Sequence, residues 1–261
     1  MYISYKKIID ELDINKGDNL FISSDITNLM LSCQMNDEVF DGDLFIQSIT
    51  DKLGSEGTLV FPTFNWGFCK GKCFDYHKTK SKVGVLTNIA LKHPGFKRTK
   101  HPIYSFAVWG KYKNTLCNLN NISSFGADSP FGFFYDNHYK NLLIDVDYLY
   151  STTFCHYCEE KIGVSYRFLK DFTADYIDEN DVNDKRTYSM YVRRLDIKVE
   201  NGGLPGHDIH DAYLRNNAVK DYIINDILFR ILDMRVACDL VEFDIKNNKS
   251  RSIATYDGQE D

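Results

Sequence analysis

Short apolar runs and helix-period segments take turns along the first two-thirds of this chain, and that alternation limits the fold more than any other feature. Asn19-Leu20-Phe21-Ile22-Ser23 follows a Lys16-Gly17-Asp18 turn and reads as a strand. Gly42 to Leu53 sets Leu44, Phe45, Ile49 and Leu53 at helical spacing and stops at Gly54. Gly57-Thr58-Leu59-Val60-Phe61 reads as a strand ending at Pro62. Ser81 is placed to cap a helix through Leu91, which His93-Pro94-Gly95 would end. Ile103 to Trp109 and Asn141 to Val146 read as further strands. Such alternation predicts a layered α/β sheet.

Other segments fill in the organisation. Tyr2 to Leu12 alternates apolar and charged residues like an amphipathic helix rather than a secretory signal. Residues 65–80 have no period and read as a long loop. Beyond about residue 165 the pattern changes. Arg167 to Ile177 and Arg186 to Lys198 predict a β-hairpin, and Asp178 to Arg186 an acidic, solvated loop between them. Asp208 to Asn217 and Arg235 to Phe243 predict helices. The expected division is an α/β core over 1–165 and a C-terminal part over 166–261, with the hairpin as a small antiparallel subdomain.

Composition narrows the function classes. A chain of 261 residues can bury a sizeable core in one large domain, or in a domain with a subdomain. A net charge of −6 argues against nucleic acid, which needs a basic footprint. No apolar run reaches membrane-spanning length. Seven cysteines, an odd number without a secretory signal, predict a cytoplasmic protein with reduced thiols. A homodimer is common for enzymes of this size.

The densest cluster of reactive side chains is Ser151 to Glu160, STTFCHYCEE. Three chemistries compete for it. Zinc would use Cys155, His156 and Cys158, with Cys69, Cys73 and His77 as further ligands, but a structural site needs four that converge, and buried or loop thiols are the commoner fate. A thiol nucleophile would need His156 beside Cys155, and adjacent helical residues point apart. An acid–base pair would use His156 and Glu159, which share a face at i, i+3. A carboxylate on one imidazole nitrogen fixes the tautomer and raises basicity at the other. The strand at 142–146 would deliver this helix to the carboxyl edge of the sheet, where open α/β proteins place their sites. Read by itself, the motif is equally a surface ion pair.

Further segments, taken in order, bear on that choice. They are Ser55 to Phe64 (SEGTLVFPTF), Phe74-Asp75, Ser81 to Leu86 (SKVGVL), His93 to Phe106 (HPGFKRTKHPIYSF), Phe125 to Gly132 (FGADSPFG) and Thr153 to Glu159 (TFCHYCE). In this order and spacing the chain resembles the aminoglycoside 3-N-acetyltransferase family, also called the antibiotic N-acetyltransferases. The resemblance runs from about residue 15 to 165 and is weaker beyond. It implies a three-layer α/β/α sandwich with a smaller antiparallel part, and acyl transfer from a coenzyme A thioester to an amine on a sugar.

The same resemblance assigns roles. The family's His-x-x-Glu falls on His156 and Glu159, as base and orienting carboxylate. Coenzyme contacts fall on Ser23, Ser24 and Asp25, on Thr63 and Phe64, on Ser81, Lys82, Val83 and Gly84, and on His101. Thr63 is a candidate donor to the oxyanion, and Lys82, Arg98 and Lys100 are candidate partners for the coenzyme phosphates. Asn65, Trp66, Asp75 and Tyr76 lie in a loop of the kind that meets the acceptor. That loop departs from the aminoglycoside enzymes, and Asp145, Asp147 and Tyr148 stand where the family has a Gly-containing turn. His207-x-x-His210-Asp211 finds no role in the family. No metal is implied.

The acceptor is the open choice. A polycationic aminoglycoside needs a carboxylate-rich cleft, whereas a nucleotide-linked amino sugar needs aromatic stacking and cations. The 17 Tyr and 18 Phe, with Arg167, Arg186, Arg193 and Arg194, favour the second. The reading is therefore an N-acyltransferase that moves acetyl or 3-hydroxybutyryl from acyl-CoA to a dTDP-linked 3-amino-3,6-dideoxy sugar for surface polysaccharide. The alternatives are an aminoglycoside 3-N-acetyltransferase and, from another class, a zinc-binding structural module.

Overall fold

The computed structural model describes residues 1–201 and 209–259. Its centre is a seven-stranded mixed sheet. Three parallel strands form the middle: β1 (Asn19–Ser24), β2 (Thr58–Pro62) and β6 (Lys140–Ile144). On one side β5 (Phe106–Gly110) and β4 (Lys97–Arg98) continue the sheet antiparallel. On the other side β11 (Ile227–Asp233) runs antiparallel to β6, and β10 (Val219–Ile224) closes that edge. Residues from both sides of position 165 therefore build one sheet. A second sheet joins β3 (Phe74–Asp75) to the long hairpin of β7 (Arg167–Ile177) and β8 (Asn183–Arg193). β9 (Val199–Asn201) pairs with β12 (Ala254–Tyr256).

Strand alternation sends successive side chains to opposite faces, and two cores result. Leu20, Ile22, Leu59, Phe61, Leu142 and Ile144 face one core. It is covered by α1 (Thr27–Met35), α2 (Gly42–Leu53) and α3 (Val85–Ala90) through Leu29, Phe45, Ile49, Leu53 and Leu86. Phe21, Val60, Phe106, Val108 and Leu143 face the other. There α4 (Lys113–Cys117), α5 (Pro130–Asp136), α7 (Cys155–Ile162), α8 (Ile209–Arg215) and α9 (Met234–Asn247) supply Leu116, Phe131, Phe134, Tyr157, Tyr213 and Val241. A short helix, α6 (Tyr148–Ser151), links β6 to α7. Helices on both faces make the three-layer α/β/α sandwich, and the β7–β8 hairpin is its antiparallel appendage. Each fully buried Phe or Leu contributes about 1.5–3 kcal/mol.

Local signals explain several boundaries. Asp41 caps α2, accepting from the N–H groups of Asp43 at 2.9 Å and Leu44 at 3.1 Å, and Gly54 ends it with φ +65°. Elsewhere the structure corrects the expectations. Tyr2 to Leu12 is not a full helix; only Ile8–Glu11 forms one turn of 3-10 helix. The preceding residues are tethered elsewhere: Tyr2 and Ser4 hydroxyls each donate to Glu38 at 2.6 Å, and the Ile3 N–H donates to Asn225 at 2.9 Å. Ser81 does not cap a helix, because α3 starts at Val85 after Gly84, with no side-chain cap. The Ser81 hydroxyl instead accepts from the Val83 N–H at 3.2 Å. α1 and the β10–β11 hairpin were not expected. His207 and Asp208 lie outside the described residues. Among the described residues no helix is long and apolar enough to cross a membrane.

Candidate active site

The site is built on α7. Phe154, Tyr157 and Cys158 are buried and pin this helix into the core beneath the sheet. His156 and Glu159 then share the face turned toward the β7–β8 hairpin. The helix ends at Gly163, which adopts φ +78° and donates its N–H to the Glu159 carbonyl at 2.9 Å. That left-handed stop turns the chain back on itself. Tyr166 and Arg167, at the start of β7, consequently arrive beside Glu159.

Four side chains meet there. His156 Nδ1 lies 2.6 Å from Glu159 Oε2, and Arg167 Nε lies 2.7 Å from the same oxygen. The Tyr166 hydroxyl donates to Oε1 at 2.9 Å. The side chains of Glu159 and Arg167 are 3% and 5% exposed, that of His156 23%. Burial pushes the Glu159 carboxyl up, but His156, Arg167 and Tyr166 together outweigh it and hold the group below the usual carboxylate range. Burial pushes the His156 imidazole down and Arg167 adds to this, while Glu159 opposes both without cancelling them. The dyad at rest is therefore a carboxylate and a neutral imidazole. The Nδ1–H donates a hydrogen bond to Glu159, which leaves the Nε2 lone pair free to take a proton.

His156 opens on a cleft of about 340 Å³. One wall is aromatic: Trp66, Tyr104 and Phe125, with the His156 ring 5.2 Å from Phe125. The opposite wall is the hairpin, which contributes Phe168, Lys170, Met190 and Arg193. Arg167 lines the cleft as well, and no Asp or Glu does among the described residues. Arg167 and Arg193 were expected near an acceptor. Arg186 instead pairs with Asp178 at 3.2 Å and Arg194 with Asp196, both away from the lining.

The residues assigned to the coenzyme divide between an edge and a scaffold. Ser24 ends β1 and Asp25 follows it, and a Cβ on Gly84 would lie 3.5 Å from the Ser24 carbonyl, so the two segments touch. The Lys82 N–H donates to the Phe64 carbonyl at 2.9 Å, and the Asp25 N–H to Ile144 at 2.9 Å. Ser24, Asp25, Lys82, Val83 and Gly84 thus gather at the C-terminal ends of β1, β2 and β6. Ser23, Thr63, Phe64 and Ser81 are buried beneath them. The Thr63 N–H donates to the Ser105 carbonyl at 2.8 Å and its hydroxyl lies 2.8 Å from Ser105 Oγ, so both groups proposed for the oxyanion are engaged by the protein. Rings connect this edge to the dyad: Phe64 to Tyr104 at 4.6 Å, Tyr104 to Phe125 at 4.7 Å, then His156.

Several candidates sit in the scaffold instead. His101 is 2% exposed. Its Nδ1 accepts from the N–H groups of Ile103 and Tyr104 at 3.3 and 3.1 Å, so the proton resides on Nε2, 3.3 Å from the Ile122 carbonyl. Burial pushes its pKa down to about 3. Tyr76 is buried and donates its hydroxyl to the Arg98 carbonyl. Arg98 is buried too: its guanidinium reaches the carbonyls of Thr79 at 2.5 Å and Thr63 at 3.3 Å, and the Ser105 hydroxyl at 3.0 Å. It ties the 65–80 loop to the sheet, and no phosphate can reach it. Lys100 pairs with Glu179 at 2.9 Å. Asp75 accepts from the N–H groups of His77 and Lys78, both at 2.9 Å, and Asn65 from Gly67 at 2.8 Å. Of these four loop candidates only Trp66 lines the cleft.

Tyr166, Lys170, Phe168 and Met190 were not singled out from the sequence. Gly163, a helix-stop signal three residues before Tyr166, is the feature that could have drawn attention to Tyr166. Among the described residues no group of three or more His, Cys, Asp or Glu is arranged to hold a metal. All seven cysteines are free, and burial pushes Cys155 and Cys158 well above the ordinary thiol range. Neither is poised to be a thiolate.

The profile of the aminoglycoside 3-N-acetyltransferase family matches residues 33–243. The chain belongs to that family. An aminoglycoside N(3')-acetyltransferase-like protein, YokD, from a prophage of Bacillus subtilis (strain 168), is 26% identical over 231 residues, 80% of each chain. The crystal structure of YokD superposes with a TM-score of 0.74 at 22% identity, covering 95% of this chain and 94% of that one. The aminoglycoside acetyltransferase AAC(3)-Xa gives 0.75 at 14%, covering 93% and 91%. AAC-IIIb, solved as a binary complex with CoASH, gives 0.73 at 14%, covering 94% and 96%. These structures share the fold, and the family places the chain among acyltransferases of the aminoglycoside 3-N-acetyltransferase type.

Proposed function

We propose that this protein is an acyl-CoA-dependent N-acyltransferase in which His156 is the general base for an amine carried on a sugar. The observation that supports it is the His156–Glu159 pair, held by Tyr166 and Arg167 and open to a cleft through the imidazole alone. A sugar amine attacks a thioester only as the free base. His156 Nε2 takes the proton as the N–C bond forms, and Glu159 steadies the imidazolium. The C–S bond then breaks, and the departing thiolate takes the proton back. This route forms no acyl-enzyme and needs no thiolate from Cys155 or Cys158. The edge formed by Ser24, Asp25, Lys82, Val83 and Gly84 is assigned to the coenzyme.

Relatives named for aminoglycosides support a sugar amine of that kind as acceptor. The cleft favours a second reading. Arg167, Lys170 and Arg193 line it with no carboxylate among the described residues, and the aromatic wall suits a stacked base. That lining fits an anionic acceptor, such as a nucleotide-linked 3-amino-3,6-dideoxy sugar, better than a polycation. Thiol release from acetyl-CoA and 3-hydroxybutyryl-CoA, measured against aminoglycosides and dTDP-linked amino sugars, tests both. Turnover confined to aminoglycosides removes the second reading, turnover confined to dTDP-sugars removes the first, and turnover with neither removes the sugar acceptor.

A further inference from the structure

The proposed base does not have Glu159 to itself. Oε2 of this one carboxylate is approached by two cationic or potentially cationic groups at nearly equal distance, His156 Nδ1 at 2.6 Å and Arg167 Nε at 2.7 Å. The other oxygen, Oε1, is taken by Tyr166. A simple orienting carboxylate would meet the imidazole and little else, and it would give up its full charge to an imidazolium. Here the guanidinium is a permanent claimant, since arginine does not deprotonate at working pH. It is nearly as buried as the carboxylate and is held from behind, with Nη1 donating to the Tyr191 carbonyl at 3.3 Å.

We propose that Arg167 is a positioning residue for the proposed base, one that holds Glu159 charged and oriented and competes with a protonated His156 for the same carboxylate oxygen. The inference rests on the reading of His156 as the base. Two consequences follow from the arrangement. A buried carboxylate alone tends toward its protonated form, in which it could donate to Nδ1 and give the wrong tautomer. Arg167 prevents this, so Nδ1 keeps its hydrogen and Nε2 its lone pair. The charge balance is also set. Glu159 and Arg167 sum to zero with a neutral imidazole, and a proton on His156 makes the cluster positive. Resting His156 is thereby kept ready to accept a proton from the amine.

The other groups around the imidazole do not supply this effect. On its own helix it has Glu159, with Cys155 and Glu160 adjacent; Cys155 is a neutral thiol and Glu160 is held by the Ser123 hydroxyl at 2.6 Å. The hairpin contributes Arg167, Lys170, the Tyr191 phenol and Arg193, and only Arg167 contacts the carboxylate. Tyr166, from the connection into β7, is a neutral donor. The opposite wall offers Tyr104 and the apolar Phe125 ring. Tyr213 of α8 and Cys238 of α9 face Cys155 and Cys158 rather than the imidazole.

The test is the titration of His156 itself, followed by NMR of the imidazole in the intact chain, which needs no acceptor and so stands apart from the assignment of activity. In Arg167→Gln the midpoint of His156 is expected to rise by roughly one to two pH units. Arg167→Lys, which keeps the charge, is expected to return it most of the way to the starting value. Arg167→Met, of similar volume and also neutral, gives the same reading as Arg167→Gln if the amide variant does not fold. Once an acceptor is known, the acid limb of kcat/KM moves with the midpoint. A midpoint unchanged in the neutral variants overturns the proposal, as does one that rises equally in Arg167→Lys. Loss of activity at every pH without movement of the limb reduces Arg167 to a structural role and overturns it too. Movement of the midpoint in a protein that shows no transfer would uphold the role of Arg167 at His156 and overturn the catalytic reading alone.

Discussion

Glu159→Gln is the substitution whose cost the structure sets most directly. The change is nearly isosteric and keeps an amide oxygen for the Tyr166 hydroxyl. It removes one negative charge from a place where the carboxylate side chain is 3% exposed and its guanidinium partner 5%. What remains is a buried arginine 2.7 Å from a neutral amide. Breaking a buried ion pair from one side costs about 3–5 kcal/mol, mostly because the surviving charge is uncompensated. At about 2 °C per kcal/mol for a chain of this size, the melting temperature should fall by about 6–10 °C. Urea unfolding gives the free energy, and calorimetry the melting shift. Glu159→Gln with Arg167→Gln removes both charges and should recover a large part of the loss, giving a strong coupling in the double-mutant cycle. A single variant within about 2 °C of the parent, or a double variant that merely sums the two single losses, would refute the claim that these charges depend on each other.

Three further outcomes are expected. His156→Ala should lower turnover by roughly 10²–10⁴ while coenzyme A affinity, measured by calorimetry, stays unchanged; a variant that keeps most of its activity removes His156 as the base. His101 is buried as the neutral form with a pKa near 3, so the unfolded chain gains a proton below about pH 6.5 that the folded chain refuses. Stability conferred by this group is complete above that pH and declines as pH falls, by about 2 kcal/mol at pH 5. His101→Gln should remove that share of the difference between urea unfolding at pH 7 and at pH 5. Gly110 has φ +95°, and a Cβ there would lie 2.2 Å from the Gly57 carbonyl oxygen. Gly110→Ala should destabilise by about 2–3 kcal/mol in the same assay.

The parts of this protein legible in its sequence are those governed by local period. The i, i+3 spacing of His156 and Glu159 put both on one helical face, and α7 carries them there. Alternation found the parallel strands β1, β2 and β6, and the long hairpin. What stayed hidden depends on contacts far apart in the chain. Glu159 could be read as a partner for His156, but its ion pair with Arg167 forms only because Gly163 reverses the chain. The pattern His101-Pro102 looks the same whether the ring meets a ligand or closes a turn; packing against Tyr188 at 5.0 Å decides it. Arg98 resembled a phosphate partner because burial by residues 63, 76 and 79 cannot be seen from its neighbours in sequence. The β10–β11 hairpin did carry a local signal. Asn225 and Asp226, at φ 52° and 61°, form a two-residue turn between apolar strands. That β11 would then lie against β6, Ile231 beside Leu142, has no local sign.

The placement of β11 has a consequence for how the chain is made. β6 is one of the three central strands, yet its second edge is completed by residues 227–233. Roughly 90 residues separate the two, so a ribosome adding 5–20 residues per second leaves that edge open for roughly 5–20 s. Throughout that interval the backbone groups of Lys140 to Ile144 face a vacancy in the sheet, and an open edge is a template for any other strand nearby. The long β7–β8 hairpin emerges first and pairs with itself, residue for residue from Arg167↔Arg193 to Ile177↔Asn183. A strand that satisfies its own partner is a poor competitor for β6. Nascent chains released before residue 233 should therefore be prone to aggregate, whereas chains that extend through α9, with β11 in place and the core beneath the sheet covered, should be less so.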